Sequence, residues 1–305
     1  LWSDECAQGA MRIGAGWEEI GLPEGVSVSE LWGSSASDVY AVGAGGDVVH
    51  YDGSSWTEVD IGAGTASLEA VWGSSSSDVF VIGWDGAGTS PAAVIYHYDG
   101  SSWEQMTSNT TGYFYGIWGT SDSDVFAAGA HYNSGEGYWD GAVLHYDGTS
   151  WTPTYLDNSY LQDVWGAASN DVFAVGSSGY IYHYDGSTWS GPMSPRATTE
   201  PLYSVWGTSG SDVIAVGSSG AAVRYDGASW SPMLSNVSGM LYDVWGSSGS
   251  DVFIAGDGDK ILHYDGNSQD AWALMPPGTS GNNFYAVWGA AADDVYAIAW
   301  GTMYH

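Results

Sequence analysis

The residues able to do chemistry in this 305-residue chain fall into three groups. Four acids, Glu30, Glu69, Asp163 and Asp243, each stand two or three positions ahead of a Trp-Gly pair. Paired carboxylates at a suitable separation carry out acid/base chemistry on glycosidic bonds, so these four are the candidate catalytic set if the protein is an enzyme. The second group is aromatic with polar neighbours. It comprises Trp84 with Asp85, Trp139 with Asp140, His131, Tyr132, Asn133 and Glu136, and Trp300 near the end of the sequence. An indole offers a flat apolar surface on which the C–H face of a sugar packs, while carboxylates and amides at its edge receive the hydroxyls. Aromatic side chains anchor protein partners equally well. The third group is Asp257-Gly258-Asp259, whose oxygens suit Ca²⁺, a hard cation that takes several oxygen ligands. No twelve-residue calcium loop and no Cys/His zinc spacing accompanies it, so calcium is the one metal expected to be accommodated and no cofactor is required.

What must position these residues is a repeat. A Trp-Gly pair occurs at Trp32, Trp72, Trp118, Trp165, Trp206, Trp245 and Trp288, at steps of 39 to 47 residues. Each copy runs on through a Ser/Asn-Asp-Val-type turn, a Gly-rich gap, a Tyr-Asp-Gly turn and a further Trp. Short runs rich in Val, Tyr, Phe and Trp between Gly, Ser and Asp turns predict a four-stranded antiparallel meander, with strands A to D in chain order. Such a sheet cannot cover two apolar faces alone. Seven of them stacked around an axis predict an all-β, seven-bladed β-propeller. Blades are expected to start near residues 28, 68, 114, 161, 202, 241 and 284 of a single domain spanning 1–305. The last repeat lacks strand D, whereas Gly14 to Ile20 align with the strand D segment Gly53 to Val59. Residues 12–20 are therefore expected to close the ring as strand D of blade seven, with 1–11 as an N-terminal extension.

The repeat also separates scaffold residues from extra ones. Asp38, Asp78, Asp124, Asp171, Asp212, Asp251 and Asp294 recur at the A–B turn, and Asp52, Asp99, Asp147, Asp185, Asp226 and Asp265 recur at the C–D turn. Recurrence in every blade predicts turn-building through backbone N–H groups. Six of the seven histidines occupy the position before the Tyr-Asp-Gly turn or its equivalent, and blade five has Arg224 there. Arginine is no ordinary metal ligand, so this position predicts a structural donor aimed at the Asp that starts strand B. Fourteen of the 18 Trp belong to the repeat. Of the four that do not, Trp84, Trp139 and Trp300 fall in B–C connections, and those of blades two and three are enlarged. Function is grafted where loops grow, which points to the B–C/D–A face.

Composition narrows the partners. The chain carries 36 Asp+Glu against 4 Lys+Arg, a net charge of −32, which repels phosphate backbones and anionic membrane surfaces. Nucleic acid is excluded as a partner. No apolar run reaches the roughly 18 residues that a membrane-spanning helix needs, and the first five residues hold no basic n-region of a signal peptide. Cys6 alone cannot form an intramolecular disulfide. Thirteen of the acids are repeat turn-formers, so the charge is partly a by-product of building the same turn many times.

The Asp-Gly-x-x-Trp segments resemble a shortened Asp-box of sialidase-type (BNR-like) repeats. The rhythm of Val-Trp-Gly followed by Asp-Val-Phe-Ala-Val-Gly is similar to tectonin repeats and to secreted Trp-Gly-rich (WG repeat) propellers of environmental bacteria. The resemblance covers the chain from Arg12 onward and implies the propeller fold, a fold that hosts lectins, scaffolds and enzymes alike. The expected function is an acidic, secreted or cell-surface bacterial module, lectin-like and carbohydrate-binding, which recognises neutral glycans through the aromatic B–C loops. The alternatives are a protein–protein or envelope scaffold, and a polysaccharide-active hydrolase or lyase. A sialidase is not expected, because Arg12, Arg196 and Arg224 lie too far apart in the repeat to converge on a carboxylate.

Overall fold

Each repeat pairs in sequence order, because turns of two to six residues bring consecutive β-rich runs side by side. The computed structural model describes residues 17–86, 91–156, 159–194, 196–266, 272–275, 282–299 and 302–305. Blade one is representative, with strand A at Glu30–Ser35, strand B at Asp38–Val42, strand C at Val48–Tyr51 and strand D at Trp56–Glu58. Seven such antiparallel sheets make a seven-bladed all-β propeller. Blade seven draws strand A (Phe284–Ala291), strand B (Asp294–Ala299) and strand C (Thr302–Tyr304) from the end of the sequence and strand D (Glu19–Ile20) from its beginning. Glu19 pairs with Tyr304 and Ile20 with Met303, and Glu18 and His305 exchange two backbone hydrogen bonds of 2.9 Å. The ring thus closes through its first described strand, as the alignment predicts; residues 12–16 of the expected closing segment and the extension 1–11 lie outside the described residues.

Blade four departs from the rule. Its sheet has only Leu161–Ala168, Asp171–Gly176 and Ile181–Tyr184, and the outer segment holds on through the Tyr184–Trp189 bridge and the N–H groups of Ser190 and Met193, which donate to the carbonyls of His183 and Ile181 at 2.8 Å. The cause is local: blade five reads Trp230-Ser231-Pro232-Met233, whereas blade four inserts Gly191 into the same run. One extra residue breaks the ladder register.

The core lies between blades. Strand B of each blade is covered on both sides and reads as a nearly continuous buried run, as in Val79 to Gly83. Tyr40 and Val42 of blade one pack with Val71, Val79 and Val81 of blade two in one such layer. The Trp-Gly pair explains how the layers are spaced near the axis. A methyl group on Gly73 would stand 2.7 Å from Cη2 of Trp32 in the preceding blade, and the same relation recurs around the ring. It closes from Trp288 of blade seven onto Gly33 of blade one, at 2.6 Å. Each indole therefore occupies the space that a side chain would take on the next blade.

The repeat Asp and His residues form a strut within each blade. His50 Nε2–H donates to Asp38 at 2.6 Å and His97 to Asp78 at 2.6 Å, and the pattern continues at His145, His183, His263 and His305. In blade five Arg224 donates to Asp212. The imidazole also stacks on the strand B aromatic, as His97 does on Phe80 at 4.1 Å. Blade five has Ile214 there, so the His and its stacking ring are replaced together. The A–B aspartates take side-chain donors as well as backbone ones: the Ser74 hydroxyl and His97 donate to Asp78, and the Ser74 N–H adds to them. The C–D aspartates cap their turns as expected, Asp52 accepting the N–H groups of Ser54 and Ser55.

Candidate functional site

Two features at the B–C/D–A face break the repeat. The first arises from the insertions in blades two and three. Among the described residues these lengthen strands: blade three extends its B and C strands to Asp124–Asn133 and Tyr138–Tyr146, and blade two to Asp78–Asp85 and Ala92–Tyr98. The blade-three hairpin sets Tyr132 directly opposite Trp139, with ring centroids 5.4 Å apart.

From Trp139 the aromatic contacts run across three blades. Tyr113 lies 5.2 Å from Trp139 and 4.9 Å from Trp84, and Tyr160 of the D–A connection lies 5.6 Å from Trp139 on its other side. Tyr113 also stacks on Tyr115 at 6.4 Å, which carries the track to the channel wall. Trp84, Tyr113, Trp139 and Tyr160 are all half-buried. At the outer end His131 donates through Nδ1–H to the Thr111 carbonyl and packs on Tyr155, which is 45% exposed. Beyond it a groove of about 370 Å³ opens between blades three and four, with Tyr155, Tyr180, Tyr182 and Trp189 in its walls. Arg196 lies 5.0 Å over the Tyr180 ring at this edge.

The structure thus brings Trp84, His131, Tyr132 and Trp139 onto one surface, and shows what surrounds them. The Trp84 indole N–H donates to Glu69 at 3.0 Å. Asp140 is buried and accepts from Asn133 at 3.0 Å, so this pair braces the hairpin instead of standing free at its edge. Asp85 and Glu136 are the exposed acids of the group. Trp300 lies outside the described residues. The sequence missed Tyr113, Tyr115, Tyr155 and Tyr160, which are as central to the surface as the tryptophans. Tyr113 and Tyr160 occupy the position five before the Trp of Trp-Gly, where other repeats carry Ser27, Ser67, Pro201 or Met240, and that contrast was the available signal.

The second feature is the axial channel. Glu30, Asp163 and Asp243 stand at the same position of strand A in blades one, four and six, and all three line a cavity of about 130 Å³ on the axis. Asp163 accepts the N–H of Val164 and, across the blade boundary, that of Val205. Asp243 accepts the N–H groups of Val244 and Val287 and the hydroxyl of Ser204, which ties blades five, six and seven together. Glu30 accepts the adjacent N–H of Leu31. Burial pushes the Asp163 carboxyl up to about 7, the Val205 N–H opposing and the Asp243 charge reinforcing the shift. Glu30 is raised well above the usual carboxylate range, first by burial and then by the charges of Asp243 and Asp163. Burial also raises Asp243, against the hydrogen bonds it receives.

Glu69, the fourth candidate acid, sits one residue earlier and belongs to the aromatic face, where it accepts from Ser67 and Trp84. The metal candidates are likewise engaged. Asp257 accepts from the N–H of Met240 and the hydroxyl of Tyr242, each at 2.8 Å, and Asp259 accepts from the N–H of Asn282. Among the described residues no group of three or more His, Cys, Asp or Glu is placed to hold a metal ion. No helix is long and apolar enough to cross a membrane, among the same residues.

Comparison with known proteins bears on the fold. No protein-family model matches the chain, and no curated protein matches its sequence. Two solved structures are similar in architecture. One, described as YCF48 bound to D1 peptide, superposes with a TM-score of 0.72 at 16% identity, covering 95% of this chain and 96% of the other. The second, YCF48 from Cyanidioschyzon merolae, gives a TM-score of 0.73 at 14% identity over 95% and 98% of the two chains. At these identities the similarity establishes a shared seven-bladed propeller architecture over nearly the whole chain.

Proposed function

We propose that this protein is a binding propeller that takes up an extended segment of a partner polypeptide on its B–C/D–A face. The observation that carries this reading is the continuous aromatic track from Tyr115 at the axis through Tyr113, Trp84 and Trp139 to Tyr160. Half-buried rings held by their neighbours are pre-organised, so little side-chain entropy remains to be lost on binding. Their shape is long and narrow rather than a pocket, which suits a chain lying across it. That a propeller of the same architecture has been solved as YCF48 with D1 peptide supports the reading by analogy of fold.

A lectin-like role is the second reading. It rests on the Tyr132–Trp139 pair beside the exposed Glu136, an aromatic surface with an acceptor near its edge. It is weaker because Asp140, Asn133 and the Trp84 N–H already bond within the protein, which leaves fewer groups to read hydroxyls. Selection of random peptides displayed on phage, with a glycan array in parallel, separates the two. Enriched peptides that lose binding to Trp139→Ala support the polypeptide reading; glycan binding lost in Trp139→Ala, without peptide enrichment, supports the other. Ligands that bind wild type and Trp139→Ala alike would contradict both.

A further inference from the structure

The aromatic face belongs to a part of the chain without basic side chains other than histidine. Between Arg12 and Arg196 the sequence holds no Lys or Arg, and the whole track, from Trp84 to Tyr160, falls inside this stretch. Glu69 stands within the track: it accepts the Trp84 indole N–H at 3.0 Å, and its charge adds to burial in raising the Tyr115 hydroxyl. Asp85 ends the strand that carries Trp84, and Glu136 lies in the turn of the hairpin that pairs Tyr132 with Trp139. Among the described residues none of these three acids takes part in an ion pair, whereas each A–B aspartate has its His or Arg.

The protein's own arginines show what rings of this kind accept. Arg196 lies 5.0 Å over the Tyr180 ring, at the edge of the groove that continues the face beyond Tyr155, and donates to the Ser178 carbonyl at 2.8 Å. Arg224 lies 6.0 Å over the Tyr264 ring and donates to Asp212 at 2.7 Å. Both described arginines thus place the guanidinium over a tyrosine while an oxygen takes its N–H groups. The track presents the same two elements, half-buried rings with carboxylate oxygens beside them.

We infer that the segment taken up on the aromatic face is a basic one, with arginines that stack on the rings of Trp84, Tyr113 and Trp139 and donate to Glu69 and Glu136. This rests on the polypeptide reading of the face and names the chemistry of the partner. Ring faces attract a cation through their quadrupole, and the effect grows where water is displaced. A guanidinium is planar, weakly hydrated and forked, so it stacks on a ring and bonds a carboxylate at the same time, which a compact ammonium does less well. The field of a net charge of −32 draws basic segments in and turns acidic ones away, and the rings select the place within that field where they settle.

The probe is an end-capped peptide of alternating Ser and Arg, with the same peptide carrying citrulline in place of every Arg as its uncharged control. Each is titrated into the full chain at pH 8 and about 0.15 M salt, where exposed charges more than about 8 Å apart are largely screened. The expected result is saturable binding of the arginine peptide, at least about tenfold tighter than that of the citrulline peptide. Trp139→Leu, which leaves the net charge unchanged, should weaken it by about fivefold or more, and so should Glu69→Gln combined with Glu136→Gln, in which each Gln keeps an acceptor oxygen. Glu58→Gln combined with Glu104→Gln removes as much charge from exposed positions on the outer strands of blades one and two and should leave the affinity almost unchanged. Circular dichroism checks the fold of every variant. Equal affinity for the two peptides, retained binding in Trp139→Leu, or equal losses from the two pairs of acids would overturn the inference. Display-selected peptides without basic residues that lose binding in Trp139→Ala would overturn it while upholding the polypeptide reading, and a face that binds no peptide at all would overturn both.

Discussion

The six-membered ring of Trp72 lies where a side chain of Gly119 would have to be: a methyl group there would come within 2.7 Å of Cη2. The pair explains why Trp and Gly travel together seven times. The indole of one blade needs the glycine of the next, so neither residue can vary alone. The relation passes from Trp288 back to Gly33, so the same packing also holds the seam at which the ring closes.

Substituting Gly119 by Ala is therefore predicted to cost about 1–3 kcal/mol through overpacking, read as a lowered midpoint in urea unfolding. Trp72→Phe, which removes the outer ring, should recover part of that loss when combined with Gly119→Ala. A double-mutant cycle with no coupling between the two positions would refute the packing account.

The His–Asp strut gives a second expectation. Asp78 is buried, and His97 supplies one of its donors. His97→Phe should keep the stack on Phe80 but leave the carboxylate short of a partner, at a cost of about 1–3 kcal/mol. In blade five, Arg224→His alone loses the guanidinium bonds to Asp212 and Gly249 without gaining a ring to stack on, whereas adding Ile214→Phe supplies the missing partner. The double variant is predicted to be more stable than Arg224→His by urea unfolding; equal or lower stability would contradict the pairing.

Two sets of carboxyl groups make stability depend on pH in opposite directions. Hydrogen bonds from the Ser54 hydroxyl and then from the N–H groups of Ser55 and Ser54 hold Asp52 at about 2, and equivalent donors hold Asp99 and Asp185 at about 2. Their unfolded value is near 3.9, so the stability they contribute is present above about pH 4 and is lost as pH falls toward 2. Asp163 is displaced the other way, to about 7. Between about pH 4 and 7 the folded state holds a proton that the unfolded chain has released, so stability falls as pH rises through that window. Stability is thus expected to peak near pH 4–5. Asp163→Asn should flatten the decline between pH 5 and 7 in thermal unfolding; an unchanged slope in this variant would refute the assignment.

Much of the fold was legible because the repeat supplies seven readings of one pattern. Strand order, ring closure and the partnership of the repeat His with the strand B Asp all follow from residues that recur. What did not follow came from residues that occur once. Gly191 adds a single residue to the outer run of blade four, too small a change to stand out before the register of blade five is set beside it. Of the candidate acids, Glu30, Asp163 and Asp243 meet at the axis because blades one, four and six bring the same strand position there, whereas Glu69 stands one residue earlier and faces the aromatic surface. The insertion in blade three reads as an enlarged connection, but it continues the ladder, so Tyr132 and Trp139 meet as a cross-strand pair. Tyr113 and Tyr160 escaped notice because tyrosine is common throughout the repeat, and only position distinguishes them.

The account's central claim, that the aromatic face binds a polypeptide segment, is tested most directly by isothermal titration of a display-selected peptide into wild type and into Trp84→Ala, Tyr113→Ala and Trp139→Ala. The prediction is one-to-one binding to wild type, weakened about tenfold or more by each substitution, as expected for aromatic anchors at the centre of an interface. Neutral oligosaccharides added in excess should not compete. Peptide affinity indifferent to all three substitutions, or displacement of the peptide by a glycan, would contradict it.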